Sequence, residues 1–392
     1  MTRTLYLIAG EESGDILGAR LMAAITARDP GIRYAGIGGA RMQAAGLERS
    51  LFPMRELSLM GLAEVLPSIL RLKRRLDETL ADIAARQPAA LVTIDAPGFT
   101  LRVAARVHGS LPVIHYVAPQ VWAWRKGRAR KLARIVDRLL CLLPFEPEVF
   151  RAVGLDARFV GHPVMESGMD RGDGQKFRAA HGIAPDAPLV AVLPGSRHAE
   201  VSRLLPAIFE TLRRVDRPGL RVVVPTVAAV DAEVRGAEWP VAPIFVDAAT
   251  RAGALAASTA ALCKSGTATL EVALAGCPML VLYRLNPLTS LIARNIITVR
   301  FASLVNLLAD REIAPEFLQE YCNPGLMAPE LARLLEDPAA REAQRAGFRE
   351  ALGRLAAPGG VAPSEAAAAA VLEVIAAKAP LPCHRSASRL DP

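Results

Sequence analysis

Short, largely apolar runs that end in polar, glycine-bearing loops and hand over to helical periods recur along the chain. This rhythm constrains the fold more than any other feature. In the first half the runs are Thr4–Ala9, Ile32–Ile37, Leu91–Ile94, Pro112–Val117, Leu139–Leu143 and Arg158–Val160. In the second they are Leu189–Leu193, Leu220–Val224, Pro243–Val246, Ala261–Cys263 and Met279–Tyr283. A strand that is apolar along most of its length reads as one buried on both faces, and a helix after each strand supplies the crossover that parallel pairing needs. The expected class is α/β, built from doubly wound parallel sheets. At 392 residues the chain exceeds one ordinary core, so two such domains are expected. The turn Gly161-His162-Pro163, ahead of the polar stretch Glu166–Gln175, sets the expected boundary. This gives an N-terminal domain over 1–164, a second over 165–345, helices over 346–378 and a disordered Pro/Ser/Arg tail over 379–392.

Two of the loops carry phosphate-binding chemistry. Leu189–Leu193 runs into Pro194-Gly195-Ser196-Arg197 and then a helical period, which leaves backbone N–H groups at a helix start beside a guanidinium. Arg197 pairs two oxygens at once and keeps its charge at any working pH. The plainer reading is a turn at Gly195 and a surface ion pair at Arg197. A second loop shifts the balance: Ala261–Cys263 leads through Lys264 into Ser265-Gly266-Thr267 and a helix carrying Glu271. Glu271 lies about one turn beyond Thr267, on a face where a carboxylate can accept ribose hydroxyls. The candidate nucleotide site is therefore Gly195, Ser196, Arg197, Lys264, Ser265, Gly266, Thr267 and Glu271, in successive crevices of one sheet.

The first strand ends in Gly10-Glu11-Glu12-Ser13-Gly14-Asp15. It lacks the GxGxxG dinucleotide fingerprint, and its acidic residues repel phosphate, so Glu11, Ser13 and Asp15 are candidates for sugar hydroxyls. Leu91–Ile94 ends in Asp95-Ala96-Pro97-Gly98. Residues just past the C-terminal ends of such strands face the ligand crevice, which makes Asp95 a candidate catalytic carboxylate, with a helix N-cap as its structural alternative.

The net charge of +8 favours an anionic partner. Arg71, Lys73, Arg74 and Arg75 form one basic run; Arg125, Lys126, Arg128, Arg130, Lys131, Arg134 and Arg138 form another. The apolar stretch Leu51–Pro67 lies next to the first. Such residues pack a core by default, yet with the basic runs they also suit a protein resting on an anionic membrane. No apolar run is long enough to cross a bilayer, and Met1-Thr2-Arg3 leads into a strand with no cleavable signal pattern. Five cysteines without a CxxC pair indicate neither a disulfide framework nor a zinc site and fit a reducing compartment.

In order and spacing, these motifs resemble the bacterial lipid-A-disaccharide synthase family. The resemblance runs from Leu5 to about Leu372 and includes Gly10–Asp15, Ile94-Asp95-Ala96-Pro97, Val121-Trp122-Ala123-Trp124, Leu143-Pro144-Phe145-Glu146, Leu193–Arg197 with Glu200, and Ser265-Gly266-Thr267 with Glu271. It implies a GT-B fold, two Rossmann-like doubly wound domains facing across a cleft, with C-terminal helices returning to the N-terminal domain. It also implies inverting transfer from UDP-diacylglucosamine to diacylglucosamine 1-phosphate (lipid X), with no cofactor and no required metal. Asp95 is then the expected general base, with Glu11, Glu12, Asp15 and His115 as competitors, and Asn306 joins Glu11, Ser13 and Asp15 on the sugar and acceptor side. The chain departs from the family pattern at Gly98, where a second Asp is common, and at Val305, where Pro commonly precedes Asn306. The expected location is the cytoplasmic face of the inner membrane, bound peripherally; the sequence admits a homodimer. The alternatives are another UDP-sugar enzyme of this fold, either a soluble-acceptor transferase or an epimerase, and a nucleic-acid surface built on Trp122, Trp124 and the basic run after them. The paired nucleotide loops argue against nucleic acid.

Overall fold

A computed structural model describes residues 3–58, 65–119, 127–286 and 300–377. The chain divides into two compact units, one formed by Met1–Gly161 together with Ala357–Pro392 and the other by His162–Ala356. Each holds a six-stranded sheet whose pairings are all parallel.

In the first unit the strands are β1 (Arg3–Ala9), β2 (Ile32–Ile37), β3 (Ala90–Ile94), β4 (Val113–Tyr116), β5 (Arg138–Cys141) and β6 (Asp156–Phe159), in the order β2-β1-β3-β4-β5-β6. The direction of winding reverses between β1 and β3, so the C-terminal ends of these neighbours flank the crevice where doubly wound sheets bind ligands. The apolar runs are explained by two cores, one on each face. Tyr6, Ile8, Leu91 and Leu139 face one; Leu5, Leu7, Val92 and Ile114 face the other.

In the second unit the strands are β7 (Leu189–Leu193), β8 (Arg221–Pro225), β9 (Pro243–Val246), β10 (Ala260–Lys264), β11 (Met279–Tyr283) and β12 (Glu316–Leu318), in the order β12-β11-β10-β7-β8-β9. Here the reversal lies between β7 and β10, which pair with Leu193 opposite Cys263. The three residues of β12 are too few to show a period in the sequence.

The helices that bear on function are α1 (Glu12–Arg28), α2 (Ala40–Ala44), α3 (Val65–Arg86), α4 (Pro97–Val107), α5 (His198–Val215), α6 (Arg251–Ala257), α7 (Ala268–Leu274), α8 (Leu304–Ala309), α9 (Pro338–Gly353) and α10 (Pro363–Ala377). The expected divisions at 164/165 and 345/346 differ from those observed, and the second difference has a clear cause. Gln344 of α9 is buried and grips both backbone groups of Met279, accepting its N–H at 2.8 Å and donating to its carbonyl at 3.2 Å. That holds α9 in the second unit. Only α10 belongs to the first, where Ala367, Ala368, Val371 and Ile375 join the core that α1 covers with Leu21, Met22 and Ile25. The expected disordered tail lies outside the described residues.

Candidate active site

In the second unit, the reversal between β7 and β10 brings the two expected loops to one crevice rather than to successive ones. Gly195 follows β7 with φ +128°, and Gly266 follows β10 with φ +149°, backbone conformations in which a Cβ is strained. Both loops point to one carboxylate, that of Glu200, which the sequence motif contains without marking it as part of the site. Glu200, in the first turn of α5, accepts the Ser196 N–H at 3.1 Å through Oε2. Its Oε1 lies 2.8 Å from Lys264 Nζ and 3.4 Å from Arg197 Nη1. Lys264 also stands 5.6 Å from the ring centre of Tyr283, the last residue of β11, a further neighbour that the sequence did not single out. Arg197 itself extends into solvent, its side chain 75% exposed.

The other members of the second loop differ. Thr267 is exposed, with no side-chain cap bond. Ser265 corrects the expectation: it is buried, and its hydroxyl proton is spent on the Ala302 carbonyl at 2.8 Å. In this arrangement the Ser265 hydroxyl ties the loop down and does not offer its proton to a phosphate. Glu271 faces Arg251 at the start of α6, with Arg251 Nη2 2.5 Å from Glu271 Oε2. Among the described residues, that oxygen and Arg251 Nε are buried without a well-aligned hydrogen bond.

Asn306 is a second correction. It is fully buried, and its amide is spent within the protein: Nδ2 donates to the Ala314 carbonyl and Glu316 Oε1, each at 2.8 Å, while Oδ1 accepts the N–H groups of Ile313 and Ala314 at 2.7 and 3.0 Å. It fastens α8 to the segment entering β12 and has nothing left for a sugar.

In the first unit, the loops after β1 and β3 touch: a Cβ built on Gly10 would fall 2.5 Å from that of Ala96. Asp95 is the first residue past β3, and its backbone is pinned on both sides. Its N–H donates to the Tyr116 carbonyl at 2.9 Å, and its carbonyl accepts Thr100 Oγ1 at 2.7 Å. Asp95 and Ala96 both take left-handed conformations, with φ 48° and 46°, and Val117 beside them at the end of β4 has φ 82°. For a β-branched residue this is a strained conformation, and strain concentrates at working sites. The N-cap position of α4 is Ala96, so Asp95 does not cap that helix. Burial raises its carboxyl pKa above the usual aspartate range, opposed in part by the Ala96 N–H. No ion pair involving it is found among the described residues.

Glu11 and Ser13 are exposed beside this crevice, but Asp15 is not available to it. Asp15 is buried and accepts three N–H groups, from Gly39 at 2.8 Å, Arg41 at 3.0 Å and Met42 at 3.0 Å. It binds the open N–H groups of α2, a structural role that corrects its assignment to sugar. Glu146 does similar work, accepting the N–H groups of Leu142 and Leu143 at 3.0 Å each. His115 is buried in β4, its Nδ1 2.8 Å from Thr93 Oγ1, and burial lowers its pKa to about 4. It is therefore neutral at physiological pH.

The basic runs divide likewise. Arg75 pairs with Glu56 at 2.8 Å and Glu78 at 2.6 Å while lying over the Phe52 ring. Arg138 is buried against Asp156 and Glu373. Neither is a free cation. Lys73, Arg74, Arg128, Arg130, Lys131 and Arg134 are exposed, as is Leu70 at 71%. In the apolar stretch, Phe52 and Leu57 are core residues; residues 59–64 lie outside the described residues, as do Trp122, Trp124, Arg125 and Lys126. Among the described residues, no helix is long and apolar enough to cross a membrane.

Comparison with known proteins agrees with this architecture. The family described as lipid-A-disaccharide synthetase matches residues 5–358. A lipid-A-disaccharide synthase of Rhodospirillum centenum is 51% identical over 380 residues, covering 95% of this chain and 94% of its own. One of Gluconobacter oxydans is 47% identical over 379 residues, covering 95% and 91%. Among solved structures, the calicheamicin glycosyltransferase CalG4 superposes with a TM-score of 0.59 at 19% identity, covering 97% of this chain and 100% of its own, a likeness of fold alone. The two doubly wound parallel sheets are thus those of a GT-B glycosyltransferase, and the chain belongs to the lipid-A-disaccharide synthase family.

Proposed function

We propose that the chain transfers diacylglucosamine from its UDP derivative to the primary hydroxyl of diacylglucosamine 1-phosphate, inverting the anomeric centre and releasing UDP. The observation that carries the nucleotide half is the convergence of the Ser196 N–H, Arg197 and Lys264 at the strand-order reversal of the second sheet. As the bond from the anomeric carbon to the diphosphate breaks, its electron pair stays on the diphosphate. Fixed donors and cations aimed at that growing charge stabilise the leaving group. Gly195 and Gly266 let the backbone come close to it, and the exposed Thr267 hydroxyl is a further donor. Arg251 holds one oxygen of Glu271, which leaves the other to accept a ribose hydroxyl.

On the acceptor side, Asp95 is the general base. The acceptor oxygen bonds the anomeric carbon as its proton passes to the Asp95 carboxylate; positioned proton removal of this kind is typically worth roughly 10²–10⁴-fold. A carboxyl made more basic by burial suits this work provided it is ionised. Glu11 and Ser13 border the same crevice as sugar contacts. The exposed basic residues, with Leu70, fit an anionic lipid surface from which acylated substrates are drawn.

Thermal melting tests the nucleotide assignment. UDP is expected to raise the Tm of the wild type and to lose most of that effect in Arg197→Ala, while single-stranded RNA leaves the Tm unchanged. Stabilisation by RNA and not by UDP would contradict the reading.

A further inference from the structure

The donors assigned to the diphosphate already serve an anion. Glu200 takes the Ser196 N–H at 3.1 Å, Lys264 at 2.8 Å and Arg197 at 3.4 Å, using both of its oxygens. Its side chain is 16% exposed, and that of Lys264 18%, so the pair is partly shielded from water and stronger than a surface contact. The start of α5 adds a favourable field for negative charge. Room for the carboxylate comes from Gly195: a Cβ there would fall 2.6 Å from Glu200 Oε2 and 2.7 Å from Glu200 Cβ. Burial pushes the Glu200 carboxyl up, but Lys264, the Ser196 N–H and Arg197 outweigh it and hold the pKa below the usual range. Glu200 is therefore an anion at neutral pH.

While Glu200 holds these donors it opposes a nucleoside diphosphate there, because the one Ser196 N–H is taken and two like charges would share one seat. Resting on the nucleotide site proposed above, we propose that Glu200 is an internal competitor for the nucleoside diphosphate. It fills the phosphate seat of the free protein, gives way when the donor binds, and returns to the same three groups to help expel UDP after transfer. On this account Glu200 sets the affinity for the diphosphate and leaves the uracil and ribose contacts untouched. It also offsets part of the positive charge of Arg197 and Lys264 and orients Lys264 between turnovers.

Calorimetry with UDP, pyrophosphate and uridine on the wild type, Glu200→Gln and Glu200→Ala tests the proposal, with stopped-flow release of UDP as the kinetic readout and melting curves to confirm folding. Both variants are expected to bind UDP and pyrophosphate about tenfold more tightly, since a charge-assisted contact no longer has to be broken, and to release UDP correspondingly more slowly. Uridine binding is expected to stay the same. Unchanged or weaker diphosphate binding in both folded variants would overturn the proposal and make Glu200 a residue that merely positions Lys264 and Arg197. Should the wild type bind UDP and Arg197→Ala weaken it while neither Glu200 variant tightens it, the competition alone fails. If the wild type does not bind UDP, the nucleotide reading fails with it.

Discussion

At the scale of single residues, Asp95 combines a fixed backbone with a carboxyl whose pKa burial raises. A base acts only when ionised, so activity is expected to fall as the pH drops through that raised pKa, at a higher pH than for an ordinary aspartate. Asp95→Asn is expected to cut turnover at least roughly a hundredfold and to abolish this acid limb. The folded state holds the Asp95 proton more tightly than the unfolded chain does, so ionisation above that pKa opposes folding. The Asn variant is accordingly expected to melt no lower than the wild type; near-normal turnover, or a large fall in Tm, would remove Asp95 from the role of base. Arg197→Ala is expected to weaken UDP by roughly 1.5–3 kcal/mol, the worth of a charge-assisted contact, as read by calorimetry. Unchanged affinity would take Arg197 out of the site. Asp15, Asn306 and Ser265 show where residue types alone mislead. Each carries suitable groups in a suitable loop, but each spends them on the protein's own backbone or side chains, and nothing in a sequence distinguishes a satisfied buried carboxylate from one facing a ligand.

At the scale of elements, the apolar runs locate every strand except β12; the central strands read most plainly, because burial on both faces favours a nearly continuous run, while the edge strand β6 overlaps its run only in part. The assignment of helices to units was less legible. Both α9 and α10 follow the second sheet in the chain, yet only α10 enters the first core, and the difference rests on long-range contacts such as Gln344 to Met279. Arg138 of β5 fastens α10, donating to the Ala370 carbonyl at 2.8 Å and to Glu373 at 3.0 Å while also pairing with Asp156. Arg138→Met is expected to cost roughly 2 kcal/mol, the upper range for hydrogen bonds to charged groups reduced for the exposure of its partners. Native-state hydrogen exchange checks the location of the loss. Protection should fall first in α10, and a uniform loss through the first unit would refute the clasp.

At the scale of the whole molecule, the surface charge of the first unit is smaller than the basic runs imply, because Arg75 and Arg138 are internally paired. The exposed remainder is expected to bind anionic vesicles in a salt-dependent way, at about 1 kcal/mol per basic residue near the surface and screened over a Debye length. Equal flotation with neutral and anionic vesicles would reduce these residues to solvated surface. The central claim is glycosyl transfer between two acylated sugars, and product analysis reaches it most directly. The purified protein is incubated with UDP-diacylglucosamine and diacylglucosamine 1-phosphate, UDP is assayed, and the lipids are analysed by mass spectrometry and NMR. The account predicts one disaccharide 1-phosphate, of inverted anomeric configuration, for every UDP released. UDP without disaccharide, or an epimerised UDP-sugar with no transfer, would contradict it.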